Sequence, residues 1–245
     1  MNALTRMVDR VFGSLVRRIA RYAQELSWRD PALALRNELQ HRATVAAADF
    51  VAARMPDALF CANKLDHLTL ALKHAPPGLA LEFGVFKGTT INHMAKVAPG
   101  RRFYGFDSFT GLPEEWAGSR YSAVNFDRKG AKPNVAANVT LLEGWFNETL
   151  PPFLARATEP IGFLHIDCDI YSSTKTVLEH TAPRLAPGAV IVFDEFFNYK
   201  GFEQHEYKAF FEFVERFDVR YRFIGYAAQQ VSLIVDAVRR PAPAP

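Results

Sequence analysis

Leu81-Glu82-Phe83-Gly84-Val85-Phe86-Lys87-Gly88-Thr89-Thr90 is the stretch that decides the fold. An apolar run, Gly78-Leu79-Ala80-Leu81, leads into an acidic residue, two glycines four apart, and a segment able to run as a helix. This is a first β-strand feeding a glycine turn and a helix N-terminus. Backbone approaches a ligand closely at such a turn, and free N–H groups face it. A bound ligand is expected there.

Outward from that turn the chain alternates between strand and helix patterns. Strands are predicted over Leu79–Phe83, Arg102–Phe106, Val139–Leu142, Gly162–Ile166 and Ala189–Phe193, with closing strands over Val219–Ile224 and Gln230–Asp236. Helices are predicted over Thr89–Val97, Ser173–Leu185 and His205–Phe217. The polar stretch Thr110–Asn138, with Gly111, Pro113, Gly118, Gly130 and Pro133, reads as a functional or mobile loop. Alternation of this kind implies α/β architecture, a doubly wound and mainly parallel sheet. The division expected is an N-terminal helical cap over 1–77, the sheet domain over 78–238, and a disordered tail over 239–245.

The cap carries helical periodicity over Leu4–Tyr22, Leu33–Met55 and Lys64–Lys73. In the first of these, Leu4, Met7, Val8, Val11, Phe12, Leu15, Ile19 and Tyr22 form an apolar stripe, with Arg6, Arg10, Arg17, Arg18 and Arg21 on the other positions. A basic amphipathic helix can lie on a membrane surface, pack on its own domain, or meet a second subunit. The last gives an expected homo-oligomer through the N-terminal helices.

Composition narrows the function. Of 245 residues 49% are apolar, enough for a sizeable core, and 29 basic against 26 acidic residues leave a net charge of only +3. Nothing global calls for nucleic acid. Cys61 and Cys168 match no metal or redox spacing, which suits a reducing cytoplasm. Arginines and an aspartate interrupt the N-terminal apolar residues, so no transmembrane segment is predicted.

In doubly wound sheets ligands sit beyond the carboxyl ends of the strands. Every one of the first five strand ends here is acidic: Glu82, Asp107, Glu143, Asp167 with Asp169, and Asp194 with Glu195. Carboxylates gathered on one sheet edge repel each other unless a cationic or hydroxyl-rich ligand joins them. Asp107 follows the glycine turn by about 20 residues, where an acidic residue bonds a ribose hydroxyl in nucleoside-binding folds. The turn itself is not Gly-x-Gly-x-x-Gly, since Phe86 fills the middle position and leaves little room for a pyrophosphate. A nucleoside without a phosphate chain fits better than a nicotinamide dinucleotide, although a dehydrogenase stays open as an alternative. The aromatic run Phe193, Phe196, Phe197, Tyr199 and Phe202 reads either as a substrate wall or as core packing.

The segments Leu81–Gly88, Gly105-Phe106-Asp107-Ser108-Phe109-Thr110-Gly111-Leu112-Pro113, His165-Ile166-Asp167-Cys168-Asp169-Ile170-Tyr171-Ser172-Ser173-Thr174 and Pro183–Gly188 together resemble the class I S-adenosylmethionine-dependent methyltransferases, and among them the macrocin O-methyltransferase group. The resemblance spans about residues 60 to 236 and implies a seven-stranded Rossmann-like sheet with an antiparallel C-terminal strand. It implies that Glu82, Gly84, Val85, Phe86 and Gly88 pass under the methionine portion of the cofactor, that Asp107 bonds the ribose, and that Ser108 and the Gly144-Trp145 region border the adenine, with Asp167 alongside. It also implies a divalent metal, magnesium or another, on Asp167, Asp194 and Glu195. Glu195 stands where that group usually has a second Asp, and its longer side chain shifts the metal or removes it as a ligand. Asp167 or Asp169 is expected to act as base, His205 and Glu206 are further candidates for substrate contact, and His165 is expected to be an ordinary strand residue. The expected reaction is O-methylation of a small hydroxylated acceptor, a sugar or secondary metabolite; a module that binds the cofactor without catalysis is the other reading.

Overall fold

The computed structural model describes residues 12–19, 21–22, 30–116 and 122–239. Eight strands form one sheet: β1 (Leu59–Phe60), β2 (Leu79–Phe83), β3 (Phe103–Asp107), β4 (Val139–Glu143), β5 (Ile161–Ile166), β6 (Leu185–Phe193), β7 (Val219–Ala227) and β8 (Gln230–Val238). Their spatial order is β1-β7-β8-β6-β5-β2-β3-β4. All pairings are parallel except those of β8, which runs antiparallel to both β6 and β7. The doubly wound sheet with its antiparallel C-terminal strand is therefore present, with one strand more than expected. That strand, β1, pairs only two residues, Leu59 and Phe60, with β7, too short a run to leave a period in the sequence.

Six helices of the body follow in chain order: α1 (Pro31–Arg54), α2 (Lys64–His74), α3 (Thr89–Val97), α4 (Phe146–Arg156), α5 (Tyr171–Thr181) and α6 (Glu206–Phe217). Asp30 caps α1, its Oδ1 accepting from the Ala32 amide at 2.9 Å, and Pro31 sits in the first turn where its missing N–H costs nothing. Asn63 caps α2 in the same way through the Leu65 and Asp66 amides. Helix α4 is not among the helices predicted from the sequence, and it holds Pro151-Pro152 in its interior. The helix forms around that pair because Leu150 and Leu154, four apart, are both buried in the core.

Alternation along the central strands sorts the core into two faces. Leu81, Phe83, Leu164 and Ile166 join α4, α5, α6 and the Ala43–Ala47 stretch of α1 on one side. Ala80, Phe163, Val190 and Val192 join Leu68 and Ala71 of α2 and Ile91 and Met94 of α3 on the other. Strands β2 and β5 are buried at every position, as parallel strands covered on both faces are. The aromatic run from the end of β6 packs into the core, Phe193, Phe196, Phe197, Tyr199 and Phe202 with Phe50 and Phe210, and of the run Tyr199 also lines a cavity.

Near the N-terminus, residues 12–19 and 21–22 are helical, and Phe12, Leu15, Val16, Ile19 and Tyr22 are all more than half exposed. Among the described residues, the apolar face of this helix is left exposed. Residues 4–11 of the expected helix, and 240–245 of the expected tail, lie outside the described residues. No helix among the described residues is long and apolar enough to cross a membrane.

Candidate active site

Chain order runs outward from β2 through β3 and β4 on one side and from β5 through β6 on the other. The switch point thus lies between β2 and β5, and crevices at the carboxyl ends of such strands are where doubly wound sheets bind ligands. There the two strand ends are almost in contact. Gly84 has φ +91°, and a Cβ on it would lie 1.7 Å from the Asp167 carbonyl oxygen, so only glycine fits. A cavity of about 1450 Å³ opens from this point. One drug-sized ligand needs roughly 300–1,000 Å³, so there is room for a cofactor and an acceptor together.

The turn after β2 is held from β3. Asp107 Oδ2 accepts from the Val85 and Phe86 amides at 2.8 and 2.7 Å, and its Oδ1 accepts from Phe109 at 2.7 Å. Three of about four acceptor positions on the carboxylate are filled. One remains for a hydroxyl. Phe86 adopts φ +46°, unusual for a bulky residue, and its ring meets Phe126 edge-on at 5.8 Å. Gly84, Phe86, Asp107, Ser108 and Trp145 line this end of the cavity, while Gly88 (φ +76°) starts α3 behind it. Glu143 points elsewhere, paired with Lys132 at the surface at 2.8 Å.

Beyond β5 and β6 lies the carboxylate group. Asp167, Asp169 and Glu195 each place an oxygen within 4.8 Å of the others. Asp194 belongs to a different triad, with Asp167 and His165. Its Oδ2 receives Lys64 Nζ at 3.1 Å, and its Oδ1 receives Gln230 Nε2 and lies 3.4 Å from His165 Nε2. His165 in turn reaches Glu82 Oε1 through Nδ1 at 2.8 Å. On the far side Gln230 Oε1 lies 3.0 Å from His67 Nδ1, extending a buried polar line across β8, β6, β5 and β2. Glu82 lies in this line, with neither its side chain nor that of His165 exposed, and it is not among the residues that line the cavity.

Electrostatics follow from this layout. Burial disfavours charge on His165, but its hydrogen bonds to Asp194 and Glu82 outweigh that and raise its pKa to about 10. Burial would likewise raise Asp194, yet the His165 bond and the charges of His165 and Lys64 hold it well below the usual carboxylate range. Burial, and then the negative charge of Asp194, push Asp169 up to about 7 and drive Asp167 and Glu195 upward as well. Glu206 is fully buried; its Oε2 accepts the Glu195 amide at 3.0 Å, and burial raises its pKa too. Glu195 Oε2 and Glu206 Oε1 are buried without a hydrogen-bond partner among the described residues.

Several contributors had no sequence signal. Lys64 opens α2, far from every strand end predicted from the sequence, and only the fold brings it to Asp194. His165 sits in an apolar strand, and its register partner on β2 is Glu82; the period-2 pattern carried this, but pairing β2 with β5 was needed to see it. Arg36 and Gln40 of α1 also line the cavity, as do Trp116 from the long segment after β3 and Ser172, Ser173 and Thr176 of α5.

Comparison with known proteins agrees with the geometry. Residues 81–196 match the sequence profile of a family described as "Methyltransferase domain". The chain is 31% identical to 8-demethyl-8-(2,3-dimethoxy-alpha-L-rhamnosyl)-tetracenomycin-C 4'-O-methyltransferase of Streptomyces olivaceus, over 55% of this chain and 60% of that one. It is 29% identical to mycinamicin III 3''-O-methyltransferase of Micromonospora griseorubida, over 55% and 61%. It therefore spans about three fifths of the length of these curated relatives. Among solved structures, that of CalS11, a calicheamicin methyltransferase, superposes with a TM-score of 0.54 at 25% identity, covering 69% of this chain and 76% of the other. Over residues 81–196 the chain is thus similar to methyltransferases, and its mainly parallel sheet with an antiparallel C-terminal strand shares the fold of a solved one.

Proposed function

We propose that this protein is an S-adenosylmethionine-dependent O-methyltransferase acting on a hydroxyl of a small molecule, a sugar or other secondary metabolite. One observation carries the reading: the Gly84–Phe86 turn with Asp107 and the Asp167–Asp169–Glu195 carboxylates share a single cavity at the switch point. The two ends suit two ligands. The remaining acceptor position of Asp107 takes a ribose hydroxyl, and Ser108, Gly144 and Trp145 border the adenine.

S-adenosylmethionine supplies a methyl group already activated on a sulfonium. The protein's task is then to align the attacking oxygen with that methyl group and to accept one proton. Asp169 takes the proton, its pKa near 7 suiting a general base at neutral pH. Asp167, between the two ends, orients the hydroxyl. Asp194 keeps Lys64 and His165 in place beside them.

The donor set also fits a divalent cation such as magnesium. Its oxygens are hard ligands, and the buried Glu195 Oε2 lacks a partner. Asp167 and Glu195 would hold the ion, with Asp194 contributing only as far as Lys64 releases it. A cation there supplies positive charge that favours loss of the hydroxyl proton.

We further propose that the exposed apolar face at Phe12, Leu15, Val16, Ile19 and Tyr22 joins two copies of the chain, and that the enzyme works in the cytoplasm. We also propose an N-terminal helical cap over 1–77 and a catalytic domain over 78–238, with β1 and α2 of the first segment packed onto the sheet of the second.

The test is calorimetric binding of S-adenosylmethionine followed by methyl transfer to a panel of glycosides, with and without exhaustive chelation. Binding without transfer to any acceptor would leave only a cofactor-binding module. Unchanged turnover after chelation would remove the cation. Light scattering on Ile19→Asp, expected to be monomeric, tests the pairing of copies.

A further inference from the structure

We propose that the α1 side of the cavity is a binding site for an anionic group, so that the acceptor is a carboxylated or phosphorylated sugar held by Arg36 and Lys200. This rests on the methyltransferase reading above and names its substrate class.

The α1 wall is fixed. Gln40 Nε2 donates to the Asn198 carbonyl at 2.8 Å, and Thr44 Oγ1 donates to Asn198 Oδ1 at 2.8 Å. Asn198 is held from its other side too, donating from Nδ2 to the Ala228 carbonyl at 3.1 Å, and it accepts a left-handed backbone at φ +64°. Arg36 lies one turn before Gln40 on the same helix face. Lys200 lies two residues beyond Asn198. Both therefore flank one clamped junction, and both line the cavity.

Their charges are uncommitted. Neither Arg36 nor Lys200 makes a hydrogen bond or ion pair among the described residues, whereas Lys64, the third cation on the cavity wall, is already paired with Asp194. The same cavity is lined by Asp107, Asp167, Asp169, Asp194 and Glu195 at the strand ends, all buried or half-buried, whereas Arg36 and Lys200 are exposed. The lining thus combines sheltered carboxylates at the strand ends with two exposed, uncommitted cations, Arg36 on α1 and Lys200 on the connection after β6. A neutral acceptor gains nothing from that arrangement. An acceptor with an anionic group distal to its reacting hydroxyl is oriented by it, since the anion is drawn to Arg36 and Lys200 and repelled from the carboxylates. Arg36 offers a planar fork that matches carboxylate and phosphate alike.

Both cations are exposed, so the expected gain is modest, on the order of ten-fold in affinity at low salt and less at high salt. S-adenosylhomocysteine binding is measured first by calorimetry. Methyl rhamnoside, rhamnose 1-phosphate and glucuronic acid are then titrated onto the loaded protein at low and high salt, with wild type and with the Arg36→Gln/Lys200→Gln double variant. At least one anionic probe should bind about ten-fold tighter than the neutral glycoside, and the phosphate and carboxylate arms tell which anion is meant. The double variant should lose that advantage while keeping its affinity for S-adenosylhomocysteine. Equal binding of neutral and anionic probes, a preference that survives the double variant, or no anionic binding to loaded protein overturns the proposal. Should S-adenosylhomocysteine itself fail to bind, the methyltransferase reading falls separately. The same titrations on free protein then decide the anion site.

Discussion

Glu82 on β2 and His165 on β5 face each other across the parallel ladder, with Oε1 and Nδ1 2.8 Å apart and neither side chain exposed. They stand in the middle of the sheet's best-buried strands. A charge pair there is expensive to break, because the survivor stays buried without a counter-charge; such losses run to about 3–5 kcal/mol. Asp194 remains near His165, so Glu82→Ala should fall near the lower end, at about 3 kcal/mol in urea unfolding. Glu82→Gln keeps an acceptor for His165 and should lose less. A wild-type unfolding midpoint for Glu82→Ala would show that the pair contributes nothing.

The same pair predicts how stability depends on pH. The pKa of His165 is raised in the folded protein, to about 10, from an ordinary value near 6.5. Protonation therefore favours the folded state. The contribution is complete below about pH 6.5, declines as pH rises, and is gone above about pH 10. Thermal unfolding followed between these limits should show a falling melting temperature in wild type and a flatter profile in His165→Gln. Parallel profiles would mean that some other group carries the dependence.

How much of this was legible beforehand depends on the range of each signal. The turn at Gly84, the strand-end acids and the order of strands and helices are local patterns, and they emerged within a few residues of where they were read. The Glu82–His165 pair was invisible for a different reason. Glu82 reads as one more strand-end acid and His165 as an ordinary strand residue, and the two lie 83 positions apart. Lys64 was hidden likewise, since a lysine at the start of an amphipathic helix reads as solvated until the fold turns it toward Asp194. Asp194 itself read as one of several equal carboxylates. Only the contacts from Lys64, Gln230 and His165 set it apart from Asp167, Asp169 and Glu195. The aromatic run is buried throughout, and only the three-dimensional position of the cavity, which periodicity cannot supply, singles out Tyr199.

Gly84 allows a sharp test of the switch point. The Cβ of an alanine there would stand 1.7 Å from a backbone oxygen, and the residue would have to hold φ +91° besides. Neither can relax without parting β2 from β5. Gly84→Ala should therefore lose detectable S-adenosylmethionine binding by calorimetry and melt well below wild type. Gly130→Ala is the control: it shares a positive φ, at +76°, but has open space around its Cβ, and should show only the smaller backbone penalty. Similar behaviour of the two variants would mean that crowding at the β2–β5 junction is not what matters.

Asp169 carries the prediction closest to the chemistry. Burial and the charge of Asp194 raise its pKa to about 7, and it accepts the hydroxyl proton only when ionised. The rate constant kcat/KM should consequently rise with pH through about 7 and level off above it. A divalent cation on Asp167 and Glu195 should pull this limb to lower pH, because nearby positive charge favours the carboxylate. Asp169→Asn cannot accept the proton and should lose about 10²–10⁴-fold in kcat, together with the limb, while binding the cofactor as wild type does. An Asp169→Asn enzyme with near-normal kcat, or one whose acid limb persists unchanged, would move the role of base to Asp167. Its oxygens lie in the same cluster, and burial raises its pKa in the same direction.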